Sequence, residues 1–170
     1  MKIGFPPPRR WRRLSETALL ALFVLACGSP QTSAAELSGY ISGANPNELW
    51  GTGFGGSFGI TLFNLVGLEA EGAWQGGQTA ASDMWSGAGR VYVGPTFQRF
   101  VPYLGLSTGI YRQSLRSASD TGSMRSVFLG LKFKLPMGVL LKAEYQRIHL
   151  PDDALIPMDN KYLVGAGLSF

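Results

Sequence analysis

An unbroken alternation of side chains over residues 50–75 constrains the fold of this chain more than any other feature. From Trp50 to Leu62 mostly aromatic and aliphatic residues alternate with glycine, serine and threonine, and after a bend at residues 63–65 the alternation resumes to Trp74. Successive side chains of a β-strand point to opposite faces, so the pattern predicts a long β-hairpin with one apolar face and one face of small or polar groups. Both arms exceed the ~5–6 residues typical of soluble strands and approach the ~9–11 that cross a bilayer. The hairpin therefore indicates a membrane barrel.

The same alternation recurs along the chain and predicts an all-β fold, an eight-stranded antiparallel up-and-down transmembrane β-barrel over residues 36–170. Long polar segments are expected at one end of the barrel, at residues 76–86, 114–123 and 150–160, and short turns at the other, the usual layout of outer-membrane barrels. A soluble lipocalin-like barrel is the alternative. It is disfavoured because the polar face consists mostly of Gly, Ser, Ala and Thr, whereas a soluble exterior is rich in charged residues.

Residues 1–35 have the features of a secretory signal peptide. The segment 1–13 is basic, residues 17–27 form an apolar run too short to span a bilayer, and small residues precede Ala35. Cleavage is predicted after Ala35. An alternative is that Cys27 belongs to a lipobox and carries a lipid, although Leu25 is bulkier than the usual residue at its position.

Charge and cysteine content exclude several classes of function. The formal net charge of +4 lies in the leader, because acidic and basic residues are equal in number after it. The basic isoelectric point therefore gives no indication of nucleic-acid binding. The single cysteine, Cys27, lies in the predicted signal peptide, so the mature barrel is expected to have no disulfide and no cysteine-based metal site. No cofactor is predicted.

Charged residues also occur on the face predicted to point into the barrel. Because buried charges need partners, we expect them to form an ion network that closes the lumen. A gated pore lined by the same groups is the alternative, disfavoured because side chains fill the interior of an eight-stranded barrel. The predicted members are Glu69, Glu71, Arg90, Lys132, Lys134, Lys142 and Glu144.

The C-terminus resembles the assembly signature of bacterial outer-membrane proteins, a terminal Phe preceded by apolar or aromatic residues at every second position. Its members here are Tyr162, Val164, Ala166, Leu168 and Phe170. With the signal peptide and the phrases at residues 101–105 and 142–145, the chain resembles the small eight-stranded OmpA/OmpX-like barrel family. The resemblance implies the outer membrane of a Gram-negative bacterium and both termini in the periplasm. It also implies contact with outer-membrane lipid and lipopolysaccharide, and recognition of the last strand by the barrel-assembly machinery.

His149 is the only histidine and is predicted at the outer end of the seventh strand, on the lipid-facing side. Lipid A-modifying barrels place His, Ser and an acid near that rim. Here Pro151 and Leu163 stand where the serine and the acid would be, so catalysis lacks a nucleophile and no catalytic residue is predicted.

Aromatic residues are expected to form two interfacial belts. The predicted anchors are Trp50, Trp74 and Trp85 at the loop end, and Phe97, Phe100, Tyr103 and Phe170 at the turn end. The function predicted from the sequence is non-enzymatic: envelope structure or surface interaction through the loops. A small channel or conduit for small or apolar solutes is the alternative, and a lipid A-modifying enzyme a weaker one.

Overall fold

The alternating segments form strands that close into a single barrel. The computed structural model describes residues 34–45, 50–77, 82–152, 154–155 and 158–170. Each strand pairs antiparallel with its sequence neighbours, and the first pairs with the last. The eight-stranded antiparallel barrel predicted from the sequence is confirmed. The strands are β1 (Ala34–Asn45), β2 (Trp50–Leu62), β3 (Val66–Gly77), β4 (Ser82–Val93), β5 (Phe100–Leu115), β6 (Ala118–Lys134), β7 (Val139–His149) and β8 (Asn160–Ser169).

The seam between β1 and β8 closes the sheet. Its register runs from Glu36 opposite Ser169 to Asn45 opposite Asn160. Beyond it, the Ala35 amide donates to the Phe170 carbonyl at 2.8 Å, and the Phe170 amide donates to the Ala35 carbonyl at 2.9 Å. Ala35, the residue before the predicted cleavage, therefore belongs to β1. Cleavage there stays a prediction, as does the fate of Cys27, which lies outside the described residues.

The two faces of the wall are inverted relative to a soluble protein. Large apolar side chains point outward and are exposed, including Ile41 at 71%, Ile110 at 67% and Leu104 at 59%. Inward positions carry polar groups that are almost fully buried, such as Gln75 at 2% and Lys132 at 2%. Only a membrane provides an apolar solvent for such an exterior, so the soluble lipocalin-like alternative is wrong. Among the residues that the structure describes, no helix has the length and apolarity needed to cross a membrane.

Two of the three predicted loops are wrong. Residues 76–86 belong largely to β3 and β4, which leave only residues 78–81 between them. Residues 114–123 belong to β5 and β6, which stay paired up to Leu115 opposite Ala118. A two-residue turn follows, in which Arg116 has a φ of +55°. Serine, threonine and glutamine are equally acceptable in a loop and in a strand with no apolar face, so composition alone did not distinguish the two.

The connections at the turn end are short, as expected. The bend after β2 places Phe63 and Asn64 at positive φ, and the Leu65 amide donates to the Leu62 carbonyl at 3.1 Å. Two consecutive positive φ values are typical of the tight turns whose twist suits a β-hairpin. A 3₁₀ turn at Pro136–Gly138 joins β6 to β7. The third predicted loop corresponds to the connection between β7 and β8.

Candidate functional site

The middle of the lumen is occupied by a cluster of charged side chains centred on Arg90 of β4. Its guanidinium pairs with Glu69 at 3.3 Å, with Glu71, and with Glu144 at 2.5 Å, so three carboxylates from β3 and β7 surround it. Lys142 pairs with Glu69 at 2.7 Å, and Lys161 with Glu71 at 3.4 Å. All of these side chains are at most 5% exposed. We call these six residues the central cluster; its three acids and three bases balance.

Neutral polar groups complete the coordination of the central cluster. The Tyr40 hydroxyl donates to Glu71 at 2.6 Å, and the Tyr103 hydroxyl donates to Glu144 at 2.6 Å. The Gln146 amide donates to Glu144 at 2.7 Å. Carboxylates held both by cations and by hydroxyl donors regain much of the hydration that burial removes. The donors come from β1, β5 and β7, so the cluster ties opposite sides of the barrel together.

A second ion-paired group lies closer to the turn end of the barrel. Lys132 pairs with Glu36 at 2.5 Å and donates to the Tyr92 hydroxyl at 2.6 Å. Lys134 reaches the other oxygen of Glu36 at 3.5 Å, and its side chain is 26% exposed. Lys132 therefore closes the lumen on this side of the central cluster, while Lys134 lies at its edge.

The seven charged residues predicted from the sequence all line the lumen, divided between these two groups. The sequence analysis missed Glu36 and Lys161. Both have the inward parity of their strands, which would have identified them, but each lies within a few residues of a strand end. Parity near a predicted strand end is weak evidence, because the strand boundary itself is uncertain there.

Inward aromatic rings are each placed opposite a glycine of the neighbouring strand. A Cβ built on any of these glycines would overlap the facing ring. The rings therefore lie flat over bare backbone, which lets a narrow barrel contain several large side chains. We call them the aromatic–glycine pairs: Tyr40–Gly55, Tyr92–Gly67, Tyr103–Gly130, Phe128–Gly105 and Tyr111–Gly122.

The loop end of the lumen is filled by apolar side chains. Met84, Tyr111, Met124 and Ile148 pack together there. Met158, from the connection between β7 and β8, joins them and is 1% exposed. This apolar layer lies above the central cluster, so side chains of two kinds occupy the interior in succession.

A closed barrel with an apolar exterior and a charged, side-chain-filled interior is a known architecture. The sequence matches the family model of the outer membrane protein beta-barrel domain over residues 18–170. The chain belongs to this family. Members reside in bacterial outer membranes, and the resemblance drawn from the C-terminal pattern is confirmed. A comparison with curated proteins found no match.

Solved structures of small outer-membrane barrels share the fold. Neisserial surface protein A superposes with a TM-score of 0.60 at 17% identity, covering 81% of this chain and 95% of that chain. Ail of Yersinia pestis, in a phospholipid nanodisc, has a TM-score of 0.54 at 14% identity, with 82% and 100% covered. OprG of Pseudomonas aeruginosa has a TM-score of 0.53 at 14% identity, with 81% and 95% covered. At these identities the likeness establishes the fold alone.

Aromatic residues of this family member lie where bilayer interfaces are expected, with one exception. Trp85 is 57% exposed beside Trp74 in the register, and Phe97, Phe100 and Phe170 are exposed at the turn end. Tyr103 was predicted as an anchor and is not one. Its ring points inward because its position has the inward parity of β5. The residue is 4% exposed, and its hydroxyl donates to Glu144. The Trp50 side chain lies outside the described part of the structure.

The remaining predicted residues lie on the outward wall. His149 is exposed and ends β7. Four residues of the C-terminal signature share the outward face of β8, and Phe170, also exposed, follows the strand. Tyr162 lies 5.1 Å from Tyr145 between ring centroids. Within the described residues no group of three or more His, Cys, Asp or Glu side chains could hold a metal ion.

Proposed function

We propose that this outer-membrane barrel is a non-enzymatic, non-conducting protein that acts through the surface at its loop end, with both termini in the periplasm. The observation that carries the proposal is the length of the β5–β6 hairpin. Its strands contain 16 and 17 residues, whereas ~9–11 are enough to cross a bilayer. The excess lies at the loop end, where β6 continues through residues 118–124 past His149, the last residue of β7 paired with it.

The tip of this hairpin has the composition of an exposed recognition surface. Arg112, Arg116, Ser117, Ser119 and Thr121 are exposed. Backbone pairing up to the turn holds these side chains on a rigid support. A rigid polar surface loses little conformational entropy on binding, which favours interaction with a partner.

The filled lumen supports the absence of conduction. An ion crossing it would have to displace Arg90 or Lys132 from carboxylates within 2.5 Å of their nitrogens. Breaking such buried pairs costs about 3–5 kcal/mol each. The buried side chains also leave no room, in the part of the interior that the structure describes, in which a substrate could meet a catalytic group. The C-terminal strand, with its outward apolar residues, is proposed as the segment recognised by the barrel-assembly machinery.

The orientation is tested by single cysteines at opposite ends of the barrel, in a chain whose only natural cysteine, Cys27, is replaced by serine. Ser117→Cys at the hairpin tip is expected to react with a membrane-impermeant maleimide in intact cells. Met137→Cys, at a turn position that is 96% exposed, is expected to react only after the outer membrane is opened. The opposite labelling pattern would refute the proposed orientation.

Planar-bilayer recording tests the closed lumen. The purified barrel is expected to give no reproducible openings, since the charged side chains and the apolar layer at the loop end fill its cross-section. If openings do occur, Lys132→Ala and Glu144→Ala distinguish their origin, with Arg99→Ala in an exposed turn as the control. Openings whose size changes in the two lumen variants but not in the control would establish the channel alternative.

A further inference from the structure

The outward wall carries a groove that the closed lumen does not explain. It has a volume of about 730 Å³ and crosses four strands, from β4 to β7. One row of register partners forms its upper margin: Gly89 opposite Thr108, Thr108 opposite Arg125, and Arg125 opposite His149. All four residues are exposed. Gly89 leaves open space in this row, because a Cβ there would have no atom closer than 4.0 Å.

The next rows toward the turn end are apolar. Val91, Leu106 and Val127 face one another across β4, β5 and β6 and line the groove. Leu104 and Leu129 continue the apolar surface below them. Within one or two steps along the strands, the outward side chains of the wall therefore change from a cationic margin to apolar rows. This order of polarity is that of a lipid, with a charged headgroup and hydrocarbon chains.

The basic side chains at this margin lack an ion-pair partner within the described part of the chain. Arg125, Arg147 and His149 form no ion pair with any residue that the structure describes, whereas every lysine and arginine of the lumen does. Arg147 lies opposite Val127 in the register, at the edge of the groove. Asp152 and Asp159 line a separate hollow that His149 also borders. Unpaired arginines next to a membrane interior are stabilised when they contact anionic headgroups.

The height of these residues agrees with a headgroup. Tyr145 and Tyr162 stack on the outward wall one step below Arg147, with the Tyr145 hydroxyl donating to Asn160 at 2.6 Å. Outward tyrosines mark the interfacial belt of a barrel, because the ring is apolar and the hydroxyl polar. Arg147 and His149 follow Tyr145 on the outward face of β7, one and two steps nearer the loop end, where headgroup phosphates are expected.

We infer that the groove is a binding site for a phosphorylated glycolipid of the outer leaflet, lipopolysaccharide, whose phosphate is held by Arg125 and Arg147 and one of whose acyl chains lies over Gly89. The planar guanidinium groups can donate two parallel hydrogen bonds to phosphate oxygens. The apolar rows below Gly89 give the acyl chain a hydrocarbon surface to lie on. The groove is separate from the hairpin tip, so this inference goes beyond the proposed surface function; it rests on the proposed orientation, with the loop end in the outer leaflet.

Native mass spectrometry of the purified barrel in detergent tests the site, with bisphosphorylated lipid A, dephosphorylated lipid A and inorganic phosphate as probes. Bisphosphorylated lipid A is expected to bind. Dephosphorylated lipid A is expected to bind at least about tenfold more weakly, the effect of losing one charge-assisted hydrogen bond. The Arg125→Ala/Arg147→Ala variant is expected to bind bisphosphorylated lipid A more weakly by the same factor. Gly89→Leu, which fills the groove without changing charge, is expected to weaken binding as well.

Two control variants match these changes elsewhere on the surface. Arg99→Ala removes a positive charge from an exposed turn, and Gly72→Leu adds the same side chain at an outward glycine of β3 with open space around it. Both are expected to bind like the unmodified protein. Heat-modifiable gel migration verifies that each variant is folded, and Gly89→Leu decides the question if the double arginine variant is not.

Several results would overturn the inference: no adduct with the unmodified barrel, equal binding of dephosphorylated lipid A, equal losses in the controls, or displacement of the lipid by inorganic phosphate alone. Binding is measured on purified protein and does not depend on orientation in the cell. A failure here would therefore leave the cysteine labelling unaffected, and inverted labelling would leave the adduct intact.

Discussion

Replacing Arg90 by methionine is expected to lower the free energy of unfolding by about 3–5 kcal/mol, the typical result of removing one partner from a buried ion pair. Arg90 is paired with Glu69, Glu71 and Glu144, and its side chain is 1% exposed. Methionine has a similar length and fills much of the same space, so the loss reports charge rather than volume. The measurement is urea unfolding in lipid vesicles, followed by tryptophan fluorescence.

Two further variants separate the loss of ion pairs in the central cluster from unspecific effects of substitution. Arg99→Met changes an exposed turn residue and is expected to stay within ±0.5 kcal/mol. Adding Glu144→Gln to Arg90→Met is expected to recover part of the loss, because one of the uncompensated carboxylates is neutralised. Such non-additivity is typical of residues in one network. If Arg90→Met and Arg99→Met had equal effects, water would have to solvate the lumen charges, contrary to a closed interior.

Valine at Gly105 is expected to destabilise the barrel by about 1–3 kcal/mol through overpacking. A Cβ on Gly105 overlaps both the Phe128 ring and the Val91 carbonyl. The ring has little freedom to move away, since it is 1% exposed and the Arg90 guanidinium lies 4.0 Å above its centroid. The carbonyl is fixed by the strand. The same unfolding assay measures the effect, and slower refolding on gels is expected to accompany it.

Gly72 provides the matched comparison for this substitution. It faces outward from β3, and a Cβ there meets nothing within 4 Å. Because valine favours extended backbone and adds apolar surface toward lipid, Gly72→Val is expected to be neutral or stabilising. Opposite signs at two strand glycines would identify the aromatic–glycine pairs as the cause. Equal destabilisation at both sites would attribute the effect to glycine loss in general.

Period-two patterning was enough to predict which residues face the lumen. It placed Glu69, Glu71, Arg90 and Glu144 on one face, and the structure brings these four side chains together. It could not predict which acid pairs with which base, because partners lie up to 96 positions apart in sequence, as for Glu36 and Lys132. Those distances depend on strand register and barrel closure, which no local pattern encodes.

Strand limits at the loop end were the least predictable part of the fold. Where β5 and β6 rise beyond the bilayer, both faces meet water and the apolar alternation that reveals a strand disappears. Residues 114–123 were therefore predicted as a loop, although all of them except the two turn residues pair regularly. The groove on the outward wall was also invisible to the sequence analysis. Its upper margin combines residues that are far apart along the chain and become neighbours only through the register of four strands: Gly89, Thr108, Arg125 and His149.

The pairing of β1 with β8 has a consequence for biosynthesis. The seam joins residues 34–45 to residues 160–170, so the first strand must wait until residues 160–170 have been translated. A sheet of seven strands would present two rows of unsatisfied amides and carbonyls to hydrocarbon, which a bilayer does not tolerate. Insertion and ring closure are therefore coupled, and the full polypeptide has to be kept unfolded until Phe170 has left the ribosome and crossed the inner membrane.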